Sequence, residues 1–161
     1  MIDKVTEKVA ARSLVPESLF QRLTQRLVSN AALKPEQAER VMDQTLAYLA
    51  TCASKGPGVP GLNMSRAVDA GWHTFLEYSQ QYDEFFSYRR WPKVHHNPCD
   101  GWNGVTYPPA AQVLPLTVAA ISAAGFRVEY DLWTAKTDCE GDTCGDDGNG
   151  GNELPSCEHS V

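Results

Sequence analysis

All 14 lysines and arginines of this 161-residue sequence lie at or before Lys136, and none follows it. Seven of the 20 acidic residues do follow it, so the segment after Lys136 carries a formal charge of −7. Negative charge there repels nucleic-acid phosphates. The preceding residues are nearly neutral and contain no basic stripe of the kind that binds nucleic acid. The charge pattern therefore predicts that nucleic acid is not a partner.

Long apolar runs are also missing. No stretch approaches the roughly 18 apolar residues that a membrane-spanning helix needs. The first residues, MIDKVTEKVAARS, alternate charged and apolar side chains and lack the apolar centre of a secretory signal. We therefore expect no membrane contact and a cytoplasmic location.

Cysteine is scarce, and the odd number of five excludes a complete set of disulfides within one chain. In a reducing compartment, a free thiol or a metal ligand is favoured over a disulfide. Cys52 falls on the apolar face of a predicted helix, where a cysteine packs as a small apolar side chain. We expect Cys52 to pack in the core.

Helices dominate the predicted fold. Apolar residues recur three or four positions apart in several segments, and helix-starting and helix-ending residues flank these segments. The predicted helices cover residues 16–30, 35–54, 65–88 and 115–124. Residues 126–132 alternate apolar and charged side chains, which is typical of a short strand. The sequence therefore predicts a mainly α fold, a small domain of orthogonal or antiparallel helices with at most a short β element.

Composition divides the chain into two segments. Residues 1–133 contain the helical patterns, and residues 134–161 are rich in Gly, Asp and Cys with almost no aliphatic side chains. Such a composition cannot bury enough apolar surface to fold alone. We predict one helical domain, 1–133, followed by a flexible acidic tail, 134–161. The predicted core of the domain includes Leu49, Trp72, Phe75, Leu76 and Tyr82.

The helix predicted at 65–88 carries a candidate metal site. Asp69 and His73 are four residues apart and so share one helix face, and His95 and His96 follow in a short extended segment. Carboxylate and imidazole together suit zinc or another divalent transition metal. Adjacent residues of an extended segment lie on opposite faces. At most one of the two later histidines should therefore join the site, and we favour His95.

A hydrogen-bonded structural cluster is the alternative for these residues. Asp69 would then accept a hydrogen bond from His73 or from the turn that contains His95 and His96, because buried polar groups need partners. Under both interpretations we expect Asp69, His73 and at least one of the later histidines to converge.

The tail carries a second candidate metal site. Its ligands would be Cys139, Cys144, Cys157 and His159. These are residue types that zinc accepts, although the C-x4-C and C-x-H spacings are unusual. Redox-sensitive or inert cysteines in a flexible tail are the alternative. Calcium fits less well, because the sixth and twelfth positions of residues 138–149 are Thr143 and Asn149, where a calcium loop requires Gly and Glu. Cys99, close after two histidines, is a weaker candidate nucleophile, since no third orienting group accompanies it.

The sequence AVDAGWHTF at 67–75, followed by Tyr82 and the pair His95-His96, resembles the core motif of glycine-rich domain-containing protein-like modules. It is most similar to the small stand-alone versions found in actinobacteria. The likeness extends to the two preceding helices, to the turn AAGF at 123–126, and to an acidic, Cys-bearing tail.

This resemblance covers most of the chain from about residue 16 and implies no particular reaction. Larger relatives often carry His at the position of Phe75 and Cys at the position of Phe86. If those residues are ligands in the relatives, this chain lacks them.

Three functions remain open from the sequence. The first is a small cytoplasmic binding or adaptor module for an unidentified protein or small molecule, with a metal held by the Asp/His cluster. The second is a precursor whose Cys-rich acidic tail is modified or cleaved. The third is a metal-dependent enzyme that uses the open coordination position of a three-ligand site. Because no set of catalytic residues is visible, we expect binding rather than catalysis.

Overall fold

Helices form most of the computed structural model, which describes residues 7–56, 61–96 and 110–134 and the backbone of 157–159. Five α-helices and two short strands lie in this part of the chain. In chain order they are α1 (Glu17–Ala31), α2 (Pro35–Ser54), α3 (Arg66–Leu76), α4 (Ser79–Ser87), β1 (Val94–His96), α5 (Ala110–Ala123) and β2 (Cys157–His159). The mainly α fold class predicted from the sequence is confirmed.

α2 lies at the centre of the domain and packs against α1, α3 and α5. Between Val41 and Ala53, every residue of α2 except Asp43 is buried. A helix that is surrounded on all sides needs apolar residues all round, and its buried polar groups need partners. Tyr48, for example, donates its hydroxyl proton to the carbonyl of Leu62 at 2.8 Å. α2 is thus the element against which the other helices are placed.

The helix predicted at 65–88 is two helices, α3 and α4, separated by Glu77 and Tyr78. Tyr78 leaves the helical region, with φ −97° and ψ 59°. The break brings the Tyr82 hydroxyl to within 2.8 Å of the Trp72 indole nitrogen. Ten residues of straight helix would separate these two residues by about 15 Å along the axis. The prediction of one continuous helix is therefore wrong, because packing between distant aromatic residues breaks it.

The helix starts predicted at residues 35 and 65 and the helix end predicted at residue 124 agree with the structure to within one residue, whereas the start predicted at residue 115 does not. Ser65 accepts a hydrogen bond from the backbone N–H of Val68 at the start of α3, and Pro35 is the first residue of α2. Gly125 follows α5 with a φ of +93°, a conformation that glycine adopts without a Cβ clash. Pro115 was expected to begin its helix but lies inside α5, in the second turn. A proline inside a helix removes one backbone hydrogen bond and crowds the carbonyl four residues earlier, a cost that α5 bears in its second turn.

The strand predicted at 126–132 is wrong. Phe126 forms an isolated parallel bridge with Val9, and the chain then enters a 3-10 turn at Tyr130–Trp133. The strand β1 finds its partner elsewhere, in β2. Alternation of apolar and charged residues was therefore not sufficient to place a strand here, because no strand within the described residues lies alongside to complete its hydrogen bonds.

Gln44 of α2 supplies the hydrogen bonds that a neighbouring strand would have supplied. Its side-chain oxygen accepts from the Glu129 backbone N–H at 3.1 Å and from the Trp133 indole at 2.8 Å. Its side-chain nitrogen donates to the carbonyl of Arg127 at 2.9 Å. Because Gln44 is buried, these contacts hold the segment after α5 against the central helix.

The predicted core is largely confirmed. Four of the five named residues are buried, namely Leu49, Trp72, Phe75 and Tyr82. Leu76 is partly buried and packs against the edge of this core. Among the described helices, none combines the length with the apolar character that crossing a membrane would require.

β2 is the one described element that falls within the predicted tail. It pairs antiparallel with β1, so this part of the chain joins the helical domain. The remaining residues of the segment after Thr134 lie outside the described part of the chain, and their predicted flexibility stays a prediction.

Cys52 is buried in α2, as expected, but it is disulfide-bonded. The expectation that thiols or metal ligands would be favoured over disulfides is therefore wrong for this residue. The other four cysteines lie outside the residues whose side chains the structure describes.

Candidate metal centre

Asp69 and His73 lie one turn apart on α3, where the helix meets the surface. Asp69 Oδ2 is 3.4 Å from His73 Nε2. The side chain of Asp69 is 26% exposed and that of His73 is 60% exposed, whereas Trp72 beside them is buried. α3 thus holds a carboxylate and an imidazole side by side at the boundary between core and solvent.

β1 brings His96 to the same carboxylate. His96 Nε2 lies 2.8 Å from Asp69 Oδ1, and only 13% of the His96 side chain is exposed. His95 lies on the opposite face of β1 and is exposed, because successive residues of a strand alternate. The preference for His95 is therefore wrong: the structure brings His96, with Asp69 and His73, into one cluster.

Tyr82 fixes the position of β1 relative to α3. Its hydroxyl accepts from the Trp72 indole N–H and donates to the carbonyl of Val94 at 2.6 Å. Burial raises the pKa of Tyr82, so the hydroxyl keeps the proton that it donates. The ring of His96 meets the ring of Trp72 edge-on, with 4.6 Å between their centroids. His96 is therefore positioned by core residues independently of any metal.

The three side chains offer ligand atoms at separations close to those of a metal site. One ligand atom from each of Asp69, His73 and His96 lies within 4.8 Å of the other two. Zinc binds nitrogen and carboxylate oxygen at about 2.0–2.2 Å, so ligand atoms around tetrahedral zinc stand about 3.3–3.6 Å apart. Small side-chain rotations, of about 1 Å at the ligand atoms, would enclose such an ion. The donor set of one carboxylate and two imidazoles suits zinc and other divalent transition metals.

The same contacts also form a hydrogen-bonded network. His96 can donate to one oxygen of Asp69 while the other oxygen faces His73, so both carboxylate oxygens have partners. The rings of His73 and His96 lie 4.4 Å apart at their centroids. A metal ion binds imidazole rings in their neutral form, so this close approach of the two rings is compatible with shared ligation. The cluster therefore has the geometry for metal binding and for a purely structural role.

The second predicted site lies mostly outside the described residues. Cys139 and Cys144 are not described, and neither is Cys99, the candidate nucleophile. Cys157 and His159 lie on β2, whose backbone places them opposite His96 and Val94 respectively. The zinc site of the tail stays a prediction.

Two features of the site were not anticipated from the sequence. Tyr82 was assigned to the core, but its hydroxyl also joins α3, α4 and β1. The sequence signal for this role is the hydroxyl group that distinguishes tyrosine from phenylalanine, because a buried hydroxyl needs a hydrogen-bond partner. β2 was missed because three residues are too few to show an alternating pattern.

Comparison of the chain with protein-family models, with curated proteins and with solved structures found no match. The resemblance to glycine-rich domain-containing protein-like modules therefore stays a prediction from the motif residues. The geometry around Asp69 is what supports a function.

Proposed function

We propose that this protein is a small binding module that holds one divalent transition metal ion, zinc before others, through Asp69, His73 and His96. The observation that carries the proposal is the convergence of one carboxylate and two imidazoles on a single point. The closest of these contacts, between Asp69 Oδ1 and His96 Nε2, is 2.8 Å long. Its two residues are 27 positions apart in the chain, so only the folded domain assembles the site.

The surroundings of His96 support a metal site because they hold the ligand in place beforehand. The edge of the Trp72 ring and the hydrogen bond from Tyr82 to the carbonyl of Val94 restrict β1 from the core side. Residues that orient metal ligands in this way commonly contribute as much as 10–100-fold to affinity. A ligand that is already positioned loses less conformational freedom when the ion binds.

The graded exposure of the cluster gives the ion a route of entry. His96 and Asp69 are mostly covered, whereas the His73 side chain is 60% exposed. Three protein ligands leave at least one coordination position for water or for a group of a partner molecule. We therefore propose that the module presents its metal to a protein or small-molecule partner on the side of His73.

Metal analysis of the full-length protein, purified without a histidine tag, tests the proposal. We expect about one zinc ion per chain by elemental mass spectrometry, and one saturable site by calorimetry after metal has been removed with a chelator. Asp69→Ala and His96→Ala should each abolish this site. His95→Ala is the matched control, because it removes an exposed imidazole from the neighbouring position and should leave zinc binding unchanged.

The tail cysteines require a second control. Each measurement is repeated with Cys139 and Cys144 changed to Ser, and zinc lost only in that background would assign the metal to the tail. Equal zinc content in the wild type and in His96→Ala would contradict the proposal. A wild type that binds no zinc, with Asp69→Ala and His96→Ala both destabilised, would identify the cluster as a structural network.

The location of the module is a separate proposal. A cytoplasmic location was expected from the charged N-terminal residues, whereas a disulfide at Cys52 is typical of oxidising surroundings. Alkylating free thiols in denaturant at the moment of cell lysis, before any air oxidation, decides between the two, because the buried Cys52 side chain is reachable only in the unfolded chain. A Cys52 thiol that alkylates would support the cytoplasm, and one that is protected would support an oxidising compartment.

A further inference from the structure

Cys52 of α2 forms a disulfide. Among the described elements that contact α2, β2 contains a second cysteine. The other cysteines of the chain are Cys99, Cys139, Cys144 and Cys157. β2, which contains Cys157, has Cα atoms within 8 Å of Cα atoms in α2, which contains Cys52. A disulfide needs a Cα–Cα distance of about 4.4–6.8 Å. α2 and β2 are therefore adjacent elements, which is the arrangement that a disulfide between them requires.

The register of the two strands assigns Cys157 to the inner face of the β1–β2 pair. Val94 and His96 are two residues apart and so occupy one face of β1, and Val94 is buried. Cys157 is paired with His96, and His159 is paired with Val94. Directly paired residues of antiparallel strands share a face. Position 157 therefore belongs to the face turned toward the helices.

Ring contacts lead from His96 to the same part of α2. The ring of Trp72 contacts His96 on one side and Tyr48 on the other, with centroids 4.6 Å and 5.7 Å away. Cys52 follows Tyr48 by four residues and so lies on the same face of α2, one turn further along. We propose that Cys52 and Cys157 form the disulfide, and that this bond fastens β2 to the helical domain beside the Asp69 cluster.

Forming this bond joins the two Sγ atoms and removes two protons and two electrons. A disulfide-exchange protein or a small disulfide accepts them and becomes a dithiol, and a dithiol reductant reverses the step. While the bond is closed, β2 stays paired with β1 and holds the backbone on both sides of His96. Once the bond is open, a ladder of three residue pairs remains, which is too short to be stable alone. The bond also removes Cys157 from the zinc ligands predicted for the tail.

Peptide mapping of the unreduced, full-length protein tests the pairing without any substitution. Free thiols are blocked under acidic, denaturing conditions before digestion, which prevents disulfide exchange. We expect one linked peptide pair that contains Cys52 and Cys157 and disappears after reduction. A Cys52 peptide linked to Cys99, Cys139 or Cys144 would overturn the proposal, as would a Cys52 that is fully alkylated.

Hydrogen exchange tests the fastening of β2. The amides of Val94, His95 and His96 are compared in Cys157→Ser and in Cys99→Ser, after circular dichroism has shown that both variants are folded. We expect exchange at these amides to be at least about tenfold faster in Cys157→Ser, and treatment of the wild type with a phosphine reductant should have the same effect. Equal exchange in the two variants would overturn the proposal that the bond holds β2 in place. Neither measurement involves metal, so the result is independent of whether zinc binds.

Discussion

Gly71 allows α3 to approach α2 more closely than any other residue would at that position. A Cβ atom there would stand 2.1 Å from Thr45 Oγ1. Thr45 is buried, and its hydroxyl lies 2.9 Å from the carbonyl of Val41 and 3.2 Å from the carbonyl of Val68. Rotating Thr45 away would break these contacts. Gly71→Ala must therefore push the two helices apart or leave a buried hydroxyl without its partners.

The change in the free energy of unfolding caused by Gly71→Ala is the difference between destabilising and stabilising contributions. Overpacking a well-filled core costs about 1–3 kcal/mol, and a lost hydrogen bond costs about 1 kcal/mol. Alanine offsets about 0.5–1 kcal/mol of this, because it is a better helix former than glycine. We expect Gly71→Ala to lower the free energy of unfolding by about 1–3 kcal/mol.

Urea unfolding, followed by circular dichroism and tryptophan fluorescence, measures this change. Thr45→Ala removes the obstructing oxygen, so the atoms nearest a Cβ at residue 71 become the residue-45 Cβ at 3.2 Å and Val41 Cγ1 at 3.3 Å. The double variant should therefore be more stable than the sum of the single effects predicts, by about 1–2 kcal/mol. Gly56→Ala is the control, because a Cβ there meets nothing within 4 Å.

The reasoning is refuted if Gly71→Ala is as stable as Gly56→Ala, or if the effects of Gly71→Ala and Thr45→Ala simply add. A further readout comes from the cluster on α3. Since Gly71 stands between Asp69 and His73, displacing the helix should also weaken the proposed zinc site, and adding Thr45→Ala should restore it.

Two further changes test the central helix. Gln44→Leu should lower the free energy of unfolding by about 2–4 kcal/mol, since it leaves the buried indole N–H of Trp133 unpaired, at about 1–3 kcal/mol, and the partly buried N–H of Glu129 unpaired, at about 1 kcal/mol. Urea unfolding measures this, and an equal loss in the exposed control Gln80→Leu would contradict it. Burial raises the pKa of Asp43 above its ordinary 3.8, so the folded protein holds this proton more tightly than the unfolded chain does. The contribution of Asp43 to stability is therefore full at low pH and declines as pH rises through the raised pKa. The stability of Asp43→Asn relative to the wild type should accordingly increase between about pH 3 and pH 7, and a difference that does not change with pH would refute the assignment.

The sequence alone determined features that depend on residues within about one helical turn. α2 covers residues 35–54 as predicted, because Pro35 suits a first turn and helical side-chain spacing continues to the end. The pairing of Asp69 with His73 follows from the helical repeat, whatever α3 packs against. The Ser65 cap is equally local, since its partner is three residues away.

Tertiary structure decided the features in which a distant contact outweighs a local pattern. The helical pattern of 65–88 continues through Tyr78, yet the chain breaks there because the Tyr82 hydroxyl meets Trp72 and β1. The alternating pattern of 126–132 is sound by itself, but a strand needs a neighbour. The partners that the folded chain provides are the single residue Val9 and the side chain of Gln44.

The choice between His95 and His96 shows the same division within the candidate site. Side chains of an extended chain alternate between two faces, so only one of two adjacent histidines can face α3. The sequence alone establishes this. Which of them does so depends on the face of β1 that is buried, and burial of Val94 in the core turns His96 inward. The apolar surface that covers Val94 comes from distant parts of the chain, so only the folded domain places His96 against Asp69 and leaves His95 in solvent.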